Sequence, residues 1–205
     1  MSPRPYRLGK RQADVEDTRD RIIAAARELF GQSGFYSVRL EDVAKTAGVA
    51  RATVYYQFES KAGLLDAVVA SIVQRVGTER AQHAREHPDA AMGVRLWVQE
   101  VMAFHSNEDV LLRNLYGLAA IDPETGRVLE QYETLRRDAL AWLVKRLDDQ
   151  GKLRTGISQK HAVDLLLMIT GFRSFDQLFS RSGLSVRATG LLLSDLAARA
   201  VLATV

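Results

Sequence analysis

Residues 40–61, LEDVAKTAGVARATVYYQFESK, decide the fold of this 205-residue chain. Leu40, Val43, Ala44 and Ala47 recur at the three-and-four spacing of one apolar helix face. Gly48 follows, and glycine is the residue that most readily takes the left-handed backbone on which helices end. Beyond it, Val54 and Phe58 stand four apart, the spacing of a second inward face over residues 51–58. Arg51, Thr53, Tyr55, Tyr56, Gln57 and Lys61 are left largely outward, and no Asp or Glu occurs from Arg51 to Phe58. Side chains that reach phosphates, an Arg able to read a guanine edge and no repelling carboxylate suit a DNA major groove. The stretch reads as a helix-turn-helix whose second member is the recognition helix.

The charge pattern points the same way. Residues 1–61 hold eleven Lys/Arg against eight Asp/Glu, which accounts for the whole net charge of +3, while residues 62–205 are balanced. A basic excess confined to one segment is the electrostatic footprint expected of a nucleic-acid partner. Hydrophobic residues make up 47% and charged residues 26%, a globular profile with enough chain for a sizeable core. The absence of cysteine excludes disulfides, thiolate metal sites and thiol nucleophiles, and fits a reducing cytoplasm. No apolar run is long enough for a membrane span, and none of signal-peptide type follows the basic start, so a cytoplasmic protein is expected.

Working outward from the motif, three domains are expected: a basic flexible arm at 1–16, the helix-turn-helix DNA-binding domain at 17–62, and a helical ligand-binding and dimerisation domain at 63–205. Residues 1–12 contain two prolines, one glycine and four basic residues without periodicity, and read as disordered. Arg4, Arg7, Lys10 and Arg11 are placed to follow a phosphate backbone or enter a minor groove. Ile22, Ile23, Ala26, Leu29 and Phe30 form the stripe of a helix at 17–32. Residues 63–85 read as one long helix, and Pro88 sets its latest end. Further helices are expected at 89–106, 108–120 and 123–150, with Pro123 at a helix start and Gly151 at a stop. Ser158 is read as the N-cap of a helix at 158–180, in which the five apolar residues 165–169 predict burial on several sides. A terminal helix from about Ser185 carries Leu191, Leu192, Leu193 and Leu196. Two such apolar helices at the end predict a homodimer interface, which would match a two-fold DNA site. The fold class is all-α, a three-helix headpiece joined to a helical bundle, with about nine helices in total.

The run VRLEDVAKTAGVARATVYYQFESKAGLL, preceded by RIIAAARELFGQSGF, resembles the tetracycline-repressor (TetR) family of bacterial transcriptional regulators. The matching elements are Leu29-Phe30, Gly34-Phe35, Val43-Ala44, Ala47-Gly48-Val49, Thr53-Val54-Tyr55-Tyr56, Phe58, Lys61 and Leu64-Leu65. The resemblance implies a dimer through the last two long helices, a ligand cavity among the central ones, and an operator of double-stranded DNA. It implies base or adjacent backbone contacts for Arg51 and Thr53, and phosphate contacts for Tyr55, Tyr56 and Lys61. Gln57 stands where many members carry His. Arg39 and Thr46 complete the expected DNA-contact set. Three positions depart from the family pattern. Arg39 stands where a capping Thr or Ser is frequent, so that cap is missing or supplied by Ser37. Ala50 replaces a frequent capping Ser, and Gly63 sits where a helix former is common, which is expected to loosen the next helix.

For a small-molecule effector, the candidates on the central helices are Trp97, Met102, Phe104, His105, Asn114, Tyr116, Trp142, Met168 and Phe172. Aromatic and Met side chains with a few polar atoms line such pockets, and they equally fill cores. A cavity bounded by Trp97, Tyr116, Trp142 and Phe172 is the form the site would take. His83 and His87 stand four apart but lack a third ligand, so they read as a solvated helix end and no metal is expected. No nucleophile, base and orienter arrangement and no phosphate-binding Gly loop occurs, so neither catalysis nor a cofactor is expected. The function expected is a homodimeric repressor released from a palindromic operator by a small molecule. The alternative is a helical small-molecule-binding protein or enzyme with a vestigial headpiece.

Overall fold

A computed structural model describes residues 6–76 and 79–203, which are all-α, with no strand among them. Helices α1 (Tyr6–Ser33), α2 (Leu40–Ala47), α3 (Arg51–Phe58) and α4 (Lys61–Val76) come first. Next come α5 (Glu79–Glu86), α6 (Ala90–Asn107), α7 (Asp109–Ala119) and α8 (Pro123–Asp149). The chain finishes with α9 (Gln159–Ile169), α10 (Phe172–Asp176), a π-helical turn at Gln177–Arg181 and α11 (Val186–Val201).

Three expectations are corrected. α1 begins at Tyr6, so most of the expected arm is helical. After Pro5 no further proline interrupts, and Lys10, Arg11, Gln12, Ala13 and Glu16 are good helix formers that outweigh Gly9. Arg4 lies outside the described residues. The single helix expected over 63–85 is two, α4 and α5; the weak helix formers Gly77 and Thr78 stand between them, outside the described residues. The helix expected to reach residue 180 stops at Ile169. There Gly171 is extended (φ −66°, ψ 152°), and the Thr170 carbonyl and hydroxyl accept hydrogen bonds from Arg136 Nη2 at 2.9 and 3.0 Å. A buried guanidinium thus takes the carbonyl at the end of α9. These divisions raise the count among the described residues to eleven α-helices.

Two compact units result. One comprises residues up to Ile72 together with Arg113–Leu129; the other comprises Val73–Leu112 and Glu130–Val205. α4, α7 and α8 each have residues in both. In the first unit Ile22, Ala26, Phe30, Val43, Val54, Phe58, Leu64 and Val68 are buried. Two side-chain contacts secure its helix ends, one long-range and one local. Asn114 Nδ2 donates to the Phe30 and Gly31 carbonyls near the end of α1, at 3.2 and 3.1 Å. Asp122 caps α8 by accepting from Thr125 N and Oγ1 at 2.8 and 2.6 Å, with Pro123 in the first helical position.

In the second unit Trp97, Met102, Leu140, Leu143, Leu147, Leu166, Phe172 and Phe175 are buried. Ser158 caps α9 through its hydroxyl, as expected, and Asp89 and Ser185 cap α6 and α11. α11 turns Leu193, Ala197 and Val201 inward, and its Ser194 hydroxyl donates to the Arg95 carbonyl of α6 at 3.1 Å. Its other face leaves Leu191, Leu192 and Leu196 exposed. The apolar run in α9 is likewise only partly covered: Leu166 and Ile169 are buried, whereas Met168 is 64% exposed.

Candidate nucleic-acid interface

The two helices of the motif are set by contacts that their own sequence does not contain. Arg39 is the extended N-cap residue of α2, and its backbone N–H donates to Asp42 Oδ2 at 3.1 Å. Arg39 offers no side-chain cap, and Asp42, three residues into the helix, takes the Arg39 N–H instead. α2 ends on Gly48 in the left-handed region (φ 67°, ψ 38°), with Val49 N bonded to the Ala44 carbonyl at 3.0 Å. Two arginines of α1 then bind the helix ends. Arg21 Nη1 donates to the Ala47 carbonyl of α2 at 3.0 Å, and Arg19 Nη1 donates to the Gln57 carbonyl of α3 at 3.2 Å. Each guanidinium meets the negative end of a helix dipole and satisfies an otherwise orphaned carbonyl. Arg19 also lies over the Phe58 ring at 4.5 Å. Spacing does not single out these two residues; the Asp17–Arg21 pair on one face of α1 is the only local signal.

α3 buries Val54 and Phe58 and carries the contact candidates on its other faces. Tyr56 is 86% exposed, Tyr55 is 41% exposed, and Arg39, Thr46 and Arg51 are exposed; Thr53 and Gln57 are half-buried. Ala50 is the N-cap and provides no side-chain acceptor, so the first N–H groups of α3 lack a side-chain partner. Arg51 is already engaged. Its Nη1 pairs with Glu41 Oε1 of α2 at 2.8 Å, and its Nη2 donates to the Tyr55 hydroxyl at 3.2 Å. The carboxylate missing from α3 is thus supplied by its neighbour. The Tyr55 hydroxyl first, then Glu41, raise the Arg51 pKa.

The end of α3 is strained. Glu59 has φ 61° and ψ −43°, and the Phe58 carbonyl accepts from Ser60 N across it, a γ-turn of the uncommon hand. Ser60 then caps α4, its Oγ accepting from Gly63 N at 3.0 Å. A Cβ on Gly63 would lie 2.3 Å from the Phe58 carbonyl oxygen. Gly63 is therefore required by the close turn from α3 to α4, which corrects the expectation that it merely loosens the helix. Lys61 folds back: its ammonium donates to the Tyr36 carbonyl at 3.2 Å and lies over the Phe35 ring at 4.5 Å. Partial burial there holds its pKa below the usual lysine value.

The profile of bacterial regulatory proteins of the tetR family matches residues 22–68. This segment contains the whole helix-turn-helix and its turn into α4. Over residues 22–68 the chain is similar to the TetR family. Among curated relatives of this TetR-type headpiece, the transcriptional regulator SrpR of Pseudomonas putida is 45% identical over 62 residues, 30% of this chain and 29% of its own. The transcriptional repressor BepR of Brucella suis is 24% identical over 171 residues, 80% of this chain and 82% of its own. The chain thus spans under a third of the length of the relative it matches at higher identity. Among solved structures, a TetR regulator from Haloarcula marismortui covers 91% of this chain and 99% of its own at 19% identity, with a TM-score of 0.75. The fold therefore extends through the helices beyond the TetR headpiece.

The residues expected to line an effector pocket separate. Trp97, Met102, His105 and Phe172 lie in the interior of the second unit, with Phe104 half-buried beside His105. Asn114 belongs to the headpiece unit, where its amide secures the end of α1, and Tyr116 belongs to that unit as well. Trp142 is 39% exposed, and the Arg85 and Arg146 guanidiniums lie over its ring at 5.2 and 5.0 Å. Met168 is exposed on α9. The expectation that Trp142 walls an interior cavity is corrected by these cation contacts, and that for Met168 by its solvent exposure. A surface groove of about 700 Å³ in the second unit, bordered by Asp89, Met92, Arg95, Lys152 and Arg199, uses none of the expected residues. Among the described residues no group of three or more His, Asp or Glu is arranged to hold a metal, and no helix is long and apolar enough to cross a membrane.

Proposed function

We propose that this protein is a cytoplasmic, homodimeric, ligand-responsive transcriptional repressor that binds a palindromic operator. The observation that carries the reading is the TetR-type headpiece, in which α3 exposes Arg51, Tyr55 and Tyr56 above a buried Val54–Phe58 face. Arg51 reads a base edge, and Tyr55 and Tyr56 bind phosphates. The Brucella relative is itself a repressor. Dimerisation is supported by α11, whose outward Leu191, Leu192 and Leu196 are each about half exposed in the single chain. The effector acts on the second unit. α4, α7 and α8 each have residues in both units.

The experiment is a mobility-shift assay at fixed salt, using the full chain and the DNA flanking its own gene. Wild type is expected to shift one fragment against competitor, and Arg51→Ala to lose that preference. Equal shifting by both proteins would refute the proposed role of α3.

A further inference from the structure

The second unit contains a group of buried polar atoms that its own fold does not satisfy. His105 is fully buried, and neither ring nitrogen has a hydrogen-bond partner. Its surroundings are aromatic: Phe104, Phe172 and Phe175 lie 5.7, 5.7 and 5.6 Å from its ring centre. Arg136, 7% exposed, uses Nη1 on Glu133 at 2.6 Å and Nη2 on Thr170, but its Nε–H is buried without a partner. Its charge is close enough to act on His105. Leaving one such atom unpaired costs about 1–3 kcal/mol, so the three together are a standing cost that a core of Leu and Phe would avoid.

We propose that His105 and Arg136 Nε form the recognition end of an effector site for an uncharged molecule with an aromatic body and one hydroxyl group. A neutral imidazole offers one donor and one acceptor, and Arg136 Nε adds a second donor. A hydroxyl both donates and accepts, so it can donate to the bare imidazole nitrogen and accept from Arg136 Nε–H. The phenylalanines supply the surface for the ring. Charge excludes the other classes. The Arg136 guanidinium is already matched by Glu133, with buried Glu108 also acting on the adjoining Tyr132, so an anion would meet carboxylates. A cation would meet Arg136.

This inference rests on reading the second domain as effector-binding, and its test needs no DNA. Calorimetric titration of the full chain with p-cresol, toluene and benzoate separates the classes. Wild type is expected to bind p-cresol at least about tenfold more tightly than toluene, one well-placed hydrogen bond's worth, and benzoate no better than toluene. His105→Phe is expected to lose the preference for p-cresol over toluene, and His105→Gln, which keeps a donor and an acceptor, to retain it. Equal affinity of wild type for p-cresol and toluene, tighter binding of benzoate, or no heat with p-cresol overturns the proposal, whether or not the variants fold. DNA binding by the same preparations, followed by fluorescence anisotropy, shows separately whether the regulator reading stands.

Discussion

The Arg51 guanidinium is held 2.8 Å from the Glu41 carboxylate of the preceding helix. In the free protein the cation proposed to read a base is therefore already paired, and DNA must compete with an exposed ion pair. Glu41→Gln removes the competitor and one repulsive charge beside the duplex. It is expected to tighten operator binding by about two- to fivefold at fixed salt, measured by fluorescence anisotropy. Unchanged or weaker binding would mean that Glu41 positions Arg51 and does not compete for it.

Glu59 holds a backbone conformation that costs a non-glycine residue about 1–3 kcal/mol. Glycine removes the strain but adds freedom to the unfolded chain, so Glu59→Gly is expected to stabilise the headpiece by about 0.5–1 kcal/mol net. The change is read from the urea midpoint. A destabilised variant would show that the turn carries no strain.

Gly63→Ala tests the next residue with opposite signs. Helix propensity alone favours alanine by about 1 kcal/mol. The Phe58 carbonyl, 2.3 Å from where the new Cβ would stand, makes the substitution destabilising instead, by about 1–3 kcal/mol. Thermal unfolding of the two proteins decides between the two signs.

His105 sets a pH dependence. Burial first, then Arg136, hold its pKa well below 6.5 in the folded chain, so below that pH the unfolded chain binds more protons. The stability held by the neutral ring is full above 6.5 and is lost as pH falls from there toward the folded value, at up to about 1.4 kcal/mol per pH unit. His105→Phe is expected to flatten this acid limb. Urea unfolding at pH 7.5 and 5.0 gives the difference, and parallel losses in both proteins would assign the limb to other groups.

Paired Leu192→Glu and Leu196→Glu substitutions place charges on the outward face of α11. Sedimentation velocity is expected to show wild type as a dimer and the double variant as a folded monomer. A monomeric wild type at micromolar concentration would remove α11 as the interface.

The helix-turn-helix is legible in the sequence because its signals are local. Leu40, Val43, Ala44 and Ala47 mark one face, Gly48 the turn, and Val54 and Phe58 the second face, all within 19 residues. Ser158 is equally readable as a cap, since a cap acts three residues away. What stays hidden depends on partners distant in the chain. Thr170 ends α9 because Arg136, 34 residues earlier, takes its carbonyl. Gly63 is needed because of a carbonyl across a turn, and Asn114 serves α1 from 84 positions away. At the effector site, the type of Trp142 and Met168 suggested an interior, but an aromatic ring is stabilised equally well under two surface guanidiniums.

That arrangement makes the protein its own reporter. The chain has two tryptophans, one buried at position 97 and one at the surface under Arg85 and Arg146. Iodide drawn to the paired cations would quench the outer indole and spare the inner one, while acrylamide would not share that bias. Emission from Trp97, isolated in this way, follows the interior of α6 directly. Because α6 also carries His105, effector entry and core rearrangement become observable in unlabelled protein, in real time and at submicromolar concentration.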